Sequence, residues 1–262
     1  MKPSSSTTPA SVALLLAACA SGPAAKPGPT TVAPAALVEP GGVPPPAATT
    51  LCRRLASPAE RASGLAEARR ELLRAPGDRG AALALARCTH LAADVESDDA
   101  RVLALTEEGM AALARAGLAP DDAEAAFLHS LNLGLYVRAR GMLAVGRLSE
   151  LVASLKVAGA KPTQDDGGPL RVLGLLYVKA PGWPVGPGDL DAALDLLHRA
   201  VADYPDHPLN HLYLAYALVD GGERGPARAE LVRARELCQA ERFGDWAARW
   251  RQEADELLER AR

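Results

Sequence analysis

A few small residues at fixed distances constrain this chain more than anything else in it. Leu173-Gly174 and Tyr177 fall in one apolar stretch, Leu170 to Tyr177. Ala193, Leu197 and Ala200, followed by Pro205, fall in a second, amphipathic stretch that begins at Asp189. A loop rich in Pro and Gly, Pro181 to Pro187, separates the two and carries Trp183. Gly and Ala at such positions let two helices cross at close range, where a larger side chain would hold them apart. The pattern therefore reads as a helical hairpin with an insertion between its helices. A second unit follows at once: Leu214-Ala215 and Leu218, then Gly221-Gly222, then Ala227, Leu231 and Ala234. Leu133-Gly134 and Val137, partnered by Leu151, Leu155 and Ala158, form a third. Leu85-Ala86 with Gly109, Leu113 and Ala116 form a fainter fourth.

That spacing resembles the tetratricopeptide repeat, whose first helix carries a Leu-Gly pair and a Tyr, and whose second carries Ala, a large apolar residue and Ala before a closing Pro. The rest of the chain agrees. Ser57 can cap a helix that starts at Pro58 and runs to about Arg74. Helices are expected from about Arg79 to Asp94, from the Ser97-Asp98-Asp99 cap to about Ala116, and from Pro120-Asp121-Asp122 to about Arg140 or somewhat beyond. A shorter one is expected over Ser149 to Val157. Aromatic residues are only 4% of the chain and no useful window alternates with period two, so no sheet is expected. The fold class is all-α: a tetratricopeptide-like α-solenoid of antiparallel helix hairpins with a C-terminal capping helix. That last helix, Phe243 to Ala261, has Trp246 and Trp250 on one face, suited to covering the final repeat or to an oligomer contact. The alternative is an irregular helical bundle.

The N-terminus reads as a targeting segment. Lys2 precedes a short apolar run, Val12 to Ala18, which is too brief to span a bilayer, since spanning needs about 20 residues. It ends in Leu16-Ala17-Ala18-Cys19, which looks like a bacterial lipobox: residues 1–18 a signal peptide, Cys19 the lipidated residue. Ala20 after the Cys favours the outer membrane over the inner. Residues 19–50 are rich in Pro and Ala and nearly free of charge, so they form a disordered tether reaching on the order of 30 Å. The helical-repeat domain is 51–262. In an oxidising periplasm Cys52 and Cys88 could pair, leaving Cys238 over; otherwise the three are small buried residues.

Catalytic constellations are missing. There is no Gly-x-Ser-x-Gly elbow, His-Glu-x-x-His pair or phosphate loop, and Gly182 to Gly188 is broken by prolines that lack N–H donors. His207 and His211 have metal-pair spacing, but Pro208 puts His207 outside the helix, so no metal or other cofactor is expected. Lys plus Arg number 29 and Asp plus Glu 32, which gives no reason to expect nucleic acid as a partner. What remains is a groove. In such solenoids the first helices of each hairpin line the concave face, which places Leu83, Arg87, Leu131, Leu135, Arg138, Arg171, Leu175, Val178, Lys179, Leu212 and Tyr216 there. An apolar surface dotted with cations suits a ligand with an apolar body and an anionic head. The other use of these cations is to pair with Asp165, Asp166 and Asp189 or to face solvent. On the ligand reading, exchanging Arg138 and Arg171 for Ala abolishes anionic-ligand binding and leaves the helical signal intact.

The run Gly167-Gly168-Pro169-Leu170-Arg171, with Leu173-Gly174, Tyr177, Lys179-Ala180-Pro181-Gly182-Trp183-Pro184, Gly188-Asp189 and Leu209-Asn210, resembles the T-component (TatT) lipoproteins of TRAP transporters. The match spans roughly Asp165 to Leu231. Gly186-Pro187 departs from the more polar loop of that family. The resemblance implies a periplasmic, lipid-anchored, non-enzymatic helical protein with a pore or groove. It allows a homotrimer, and implies a small hydrophobic or anionic ligand and a TRAP substrate-binding protein as partner. It would make the Asp166 to Asp189 segment, with Arg171, Leu175, Tyr177, Lys179 and Trp183, part of a ligand or partner site, to which the projected concave face adds Arg87, Arg138 and Tyr216; otherwise the Trp183 loop is a stiff brace with Trp183 buried against the helices. The competing function is a tetratricopeptide scaffold for envelope assembly that binds peptide segments.

Overall fold

The computed structural model describes residues 52, 57–119 and 121–262. The signal peptide, Cys19, the tether and Pro120 lie outside the described residues. Helices follow one another with short turns: α1 (Pro58–Arg74), α2 (Arg79–Asp94), α3 (Asp99–Arg115), α4 (Ala123–Arg140), α5 (Leu148–Gly159), α6 (Gly168–Lys179), α7 (Leu190–Asp203), α8 (Pro208–Asp220), α9 (Arg224–Leu237), α10 (Ala240–Phe243) and α11 (Asp245–Arg260). A 3-10 turn, Gly141–Arg147, joins α4 to α5 and was not legible in the sequence pattern. Among the described residues there is no strand, only an isolated bridge between Gly182 and Gly188.

The helix starts are chemical. Ser57 and Glu60 form a capping box on α1, while Asp78, Asp98, Asp122 and Asp189 accept the first free backbone N–H groups of α2, α3, α4 and α7. Four hairpins result, α2/α3, α4/α5, α6/α7 and α8/α9, each packed on the next. The small residues sit at the crossings. Ala193, Ala200, Ala227 and Ala234 are sealed from solvent, and a Cβ on Gly174 would lie 2.6 Å from Leu197 Cγ. Gly109 does the same in the first hairpin, where a Cβ would meet Thr89 Oγ1 at 2.2 Å. Gly134 differs. Nothing stands within 4 Å of its missing Cβ, so its spacing match to Gly174 does not mark a helix crossing.

The C-terminal helix does more than cap. The chain breaks at Gly244, with φ 56°, and α11 packs on α9 and α8. Its first turn also reaches the opposite end of the stack. Trp246 donates its ring N–H to the Asp94 carboxylate on α2 at 2.6 Å, the Arg61 guanidinium of α1 lies 4.9 Å above the same ring, and Arg61 pairs with Asp245 at 3.5 Å. Trp246 and Trp250 are both buried within the chain, so neither is left over for an oligomer contact. The superhelix closes on itself. At its start Cys52 and Cys88 form a disulfide with Cα atoms 5.1 Å apart, tying the chain ahead of α1 to α2. Cys238 is free and buried, and burial pushes its thiol up to about 11, where it is an inert apolar filler.

Exchanging Gly174 for Val should destabilise the domain by about 1–3 kcal/mol through overpacking against Leu197. Gly134→Ala should leave stability unchanged or raise it by up to about 1 kcal/mol, because Ala is the better helix former and meets no neighbour. Thermal melts followed by circular dichroism check both. Equal losses at the two sites would contradict the packing difference.

Candidate functional site

Closure of the superhelix leaves two adjoining cavities on its axis. The first, of about 130 Å³, is walled by α2, α4, α6, α8 and α11. Leu131, Leu135, Leu151, Val172, Leu175, Leu176, Leu209, Tyr213, Trp246 and Trp250 supply apolar surface, and His90, Asp94, Arg138, Asp165, Arg171 and Lys179 supply polar groups. Gly134 lies in this wall, which is why its Cβ position is open. The second, of about 420 Å³, lies towards the opposite ends of the helices, between Arg87, Glu124, Gln164, Asp166, His207, Arg242 and Phe243. Both cavities touch His90, Leu131 and Asp165, so they meet at the axis.

The expected concave face is brought together in part. Leu131, Leu135, Arg138, Arg171, Leu175 and Lys179 do share the first cavity. Arg87 does not; it borders the second and is held by Glu124 at 2.9 Å. Leu83 and Leu212 are in the core. Tyr177 is half-buried between core clusters. Tyr216 is buried beneath α11, where its hydroxyl donates to Glu253 at 2.9 Å. Trp183 stands 90% exposed on its loop, away from both cavities; the reading that buried it against the helices is wrong. The loop's own backbone bonds and its bridge hold it, without help from the indole.

Arg171 is spent on structure. It is 1% exposed and sits in a nest of backbone: one guanidinium nitrogen donates to the carbonyls of Asp165 at 2.6 Å and Asp166 at 3.1 Å and to the Asn210 side-chain oxygen at 3.3 Å, and the other to the Asp165 carboxylate. Asn210 continues the network to the carbonyls of Asp166, Ala200 and Tyr204. The reason for so much satisfaction is the turn it supports. Asp165, Asp166 and Gly167 have φ of 51°, 48° and 86°, three left-handed residues in a row, which only surrounding contacts can hold. The pairing of Arg171 with Asp165 is the alternative the sequence left open.

Lys179 lies with its ammonium 3.9 Å from the centre of the Tyr216 ring. Arg138 is different. Its side chain lines the cavity, its Nη1 is closed off from solvent, and that atom has no hydrogen-bond acceptor among the described residues. A buried guanidinium N–H left unmatched costs about 1–3 kcal/mol. Among the described residues no group of three or more His, Cys, Asp or Glu could hold a metal. His207 caps α8 from outside the helix, and His211 is fixed between Glu230 and the Pro205 carbonyl.

Sequence reasoning missed the aromatic wall of α11, together with His90, Asp94 and Tyr213. The two Trp residues were the only available signal, and their spacing shows a buried face without saying which end of the stack it meets.

Residues 185–239 match the family model of the tetratricopeptide repeat. The matched part covers α7, α8 and α9, the hairpin boundary read above as repeat spacing. This stretch is tetratricopeptide-like. Repeats of this type generally serve as non-enzymatic scaffolds for protein–protein interaction. No curated protein shows significant sequence similarity to the chain.

Two outcomes follow. Arg171→Met should lower stability by about 3–5 kcal/mol, because it strands the Asp165 carboxylate and the left-handed turn; a urea titration measures this, and the Arg138/Arg171 double exchange to Ala is then no clean test of ligand binding. Burial pushes the Glu253 carboxyl up to about 7, although the Tyr216 hydroxyl, Lys179 and Arg249 pull it down. A carboxyl raised in the folded state binds its proton more tightly there than in the unfolded chain. Its ionisation therefore costs stability as pH rises from about 4.5 to about 7. The melting temperature of the natural chain, taken relative to Glu253→Gln, should rise as pH falls through that window. A flat difference would show that Glu253 does not titrate there.

Proposed function

We propose that the chain is a non-enzymatic binding scaffold whose axial cavity grips an apolar group bearing an anionic tip, presented by a partner polypeptide. The tetratricopeptide match supports the scaffold part. Arg138 carries the choice of group. A mostly apolar chamber in which one guanidinium N–H has no acceptor among the described residues is completed by a carboxylate or phosphate, to which the bond is charge-assisted. The volume sets the scale: a cavity of about 150 Å³ holds a benzene-sized group, so about 130 Å³ accepts an anchoring side chain or chain end and no whole peptide.

A second reading is favoured by the closure of α11 over the inner face. That closure roofs part of the inner face and leaves a partly open chamber in place of a continuous trough, which suits a small free amphiphile. With the likeness to TatT lipoproteins over 165–231, it supports a lipid-anchored periplasmic component, held to the outer membrane through Cys19, that works beside a TRAP substrate-binding protein.

Native mass spectrometry of the purified full chain separates the two by the mass of what stays bound, peptide or amphiphile. In either case Arg138→Met should weaken the occupant about tenfold to a hundredfold, and Gly134→Leu should exclude it by filling the wall, with helicity unchanged for both. An occupant retained in full by both variants would remove the cavity from the function.

A further inference from the structure

Leu73 and Val232 are exposed singly on α1 and α9, but four other large apolar side chains left in water gather in two loops. In the 3-10 turn after α4, Met142 is 53% and Leu143 85% exposed; in the loop after α6, Trp183 is 90% and Val185 69% exposed. The two loops follow inner helices, α4 and α6, whose last turns place Arg138 and Lys179 on one cavity, and their inward residues, Ala144 and Ala180, belong to one core cluster. The Trp183 loop is braced. Gly188 donates its N–H to the Pro181 carbonyl at 2.8 Å, Asp189 donates to the Tyr177 carbonyl at 3.1 Å, and prolines stand at 181, 184 and 187. Trp183 is thus held outward on a frame that needs no further ordering to present it.

The stretches leading into these loops carry cations, while the nearest carboxylates, Glu150 and Asp189, lie just beyond them and are engaged, one with Arg147 and one in capping α7. Residues 138–147 and 179–188 contain Arg138, Arg140, Arg147 and Lys179 and no carboxylate. Glu150 answers Arg147 at 2.8 Å, while Arg140 is exposed and makes no ion pair among the described residues. Antiparallel packing sets the start of α1 beside the end of α2, at the hairpin-turn edge of the stack, where Val95 is a further exposed apolar residue.

We propose that this edge seats on an anionic lipid surface, with Met142, Leu143, Trp183 and Val185 dipping into the headgroup layer and Arg140 among the phosphates. Apolar tips flanked by cations, with Trp among them, match the layered chemistry of that interface. Separate protruding tips suit a fluid surface, which moulds around them. A folded protein partner would need a shaped complement and side-chain hydrogen bonds, and the loop 180–188 offers only Ala, Pro, Gly, Val and the indole. Arg138 and Lys179, at the roots of the two loops, also line the axial cavity, so the seated edge would open that cavity towards the lipid. The docking itself stands whatever fills the cavity.

The test uses the full chain and vesicles of phosphatidylglycerol with phosphatidylcholine. Trp246 and Trp250 are buried, so Trp183 reports on the loop. Its emission should move to the blue on binding, be quenched by lipids brominated near the headgroup, and lose the shift in Trp183→Phe. Joint exchange Leu143→Ser, Trp183→Ser and Val185→Ser should cut vesicle binding by about tenfold or more without loss of helicity. Arg140→Glu should weaken binding to the anionic vesicles and not to pure phosphatidylcholine. Three results would overturn the proposal: no vesicle binding, equal binding by the triple variant, which would assign it to another part of the chain, or an emission shift that appears on adding a protein but not on adding lipid.

Discussion

The Arg171 guanidinium is the tie on which the geometry of this molecule depends. It reaches from α6 into the turn before that helix and across to Asn210 on α8, so a single side chain fixes two successive hairpins and the linker leading into them. The turn it holds is left-handed at three successive residues and would not keep that shape unaided. Burying a cation is costly unless each donor has a partner, and here the partners are carbonyls that themselves need satisfying. The same turn contributes Asp165 to the point where the two axial cavities meet, so the tie also sets the shape of the chamber.

Close helix contact at small residues does the rest of the positioning. Gly174 against Leu197, and Gly109 against Thr89 and Asn132, leave no room for another carbon. These contacts pack each hairpin tightly, and stacking turns the row of hairpins until α11 meets α1 and α2 again. Trp246 then closes the ring by its bond to Asp94, across 152 residues of sequence. The cavity is a consequence of that closure, since its walls come from both ends of the chain.

Function follows from what is left unmatched inside and outside. Inside, Arg138 has a guanidinium N–H turned away from water with no acceptor among the described residues. Outside, Trp183 and its apolar neighbours stand in water on a braced frame. Both features cost free energy in the isolated chain, and each suits the occupant proposed for it: an anion within, an apolar layer without.

The repeat was legible in the chain because it is local. Spacing of Gly, Ala and Leu decides which faces can approach, and caps such as Ser57 and Asp189 mark where helices begin; neither needs knowledge of distant residues. The 3-10 turn at 141–147 was not legible, because its apolar run, Met142 to Val145, is too short to show a period. The roles of the cations were not legible either. Arg87, Arg138, Arg171 and Lys179 look alike in a list of residues, yet one is salt-bridged, one is built into a turn, one lies over a ring and one has a donor unmatched. Gly134 and Gly174 share a motif, yet one faces a cavity and the other a leucine. Short-range pattern therefore determined the helices and their pairing. Only the closing of the stack, a contact between its two ends, decided which side chains would share a chamber and which would be consumed in holding it.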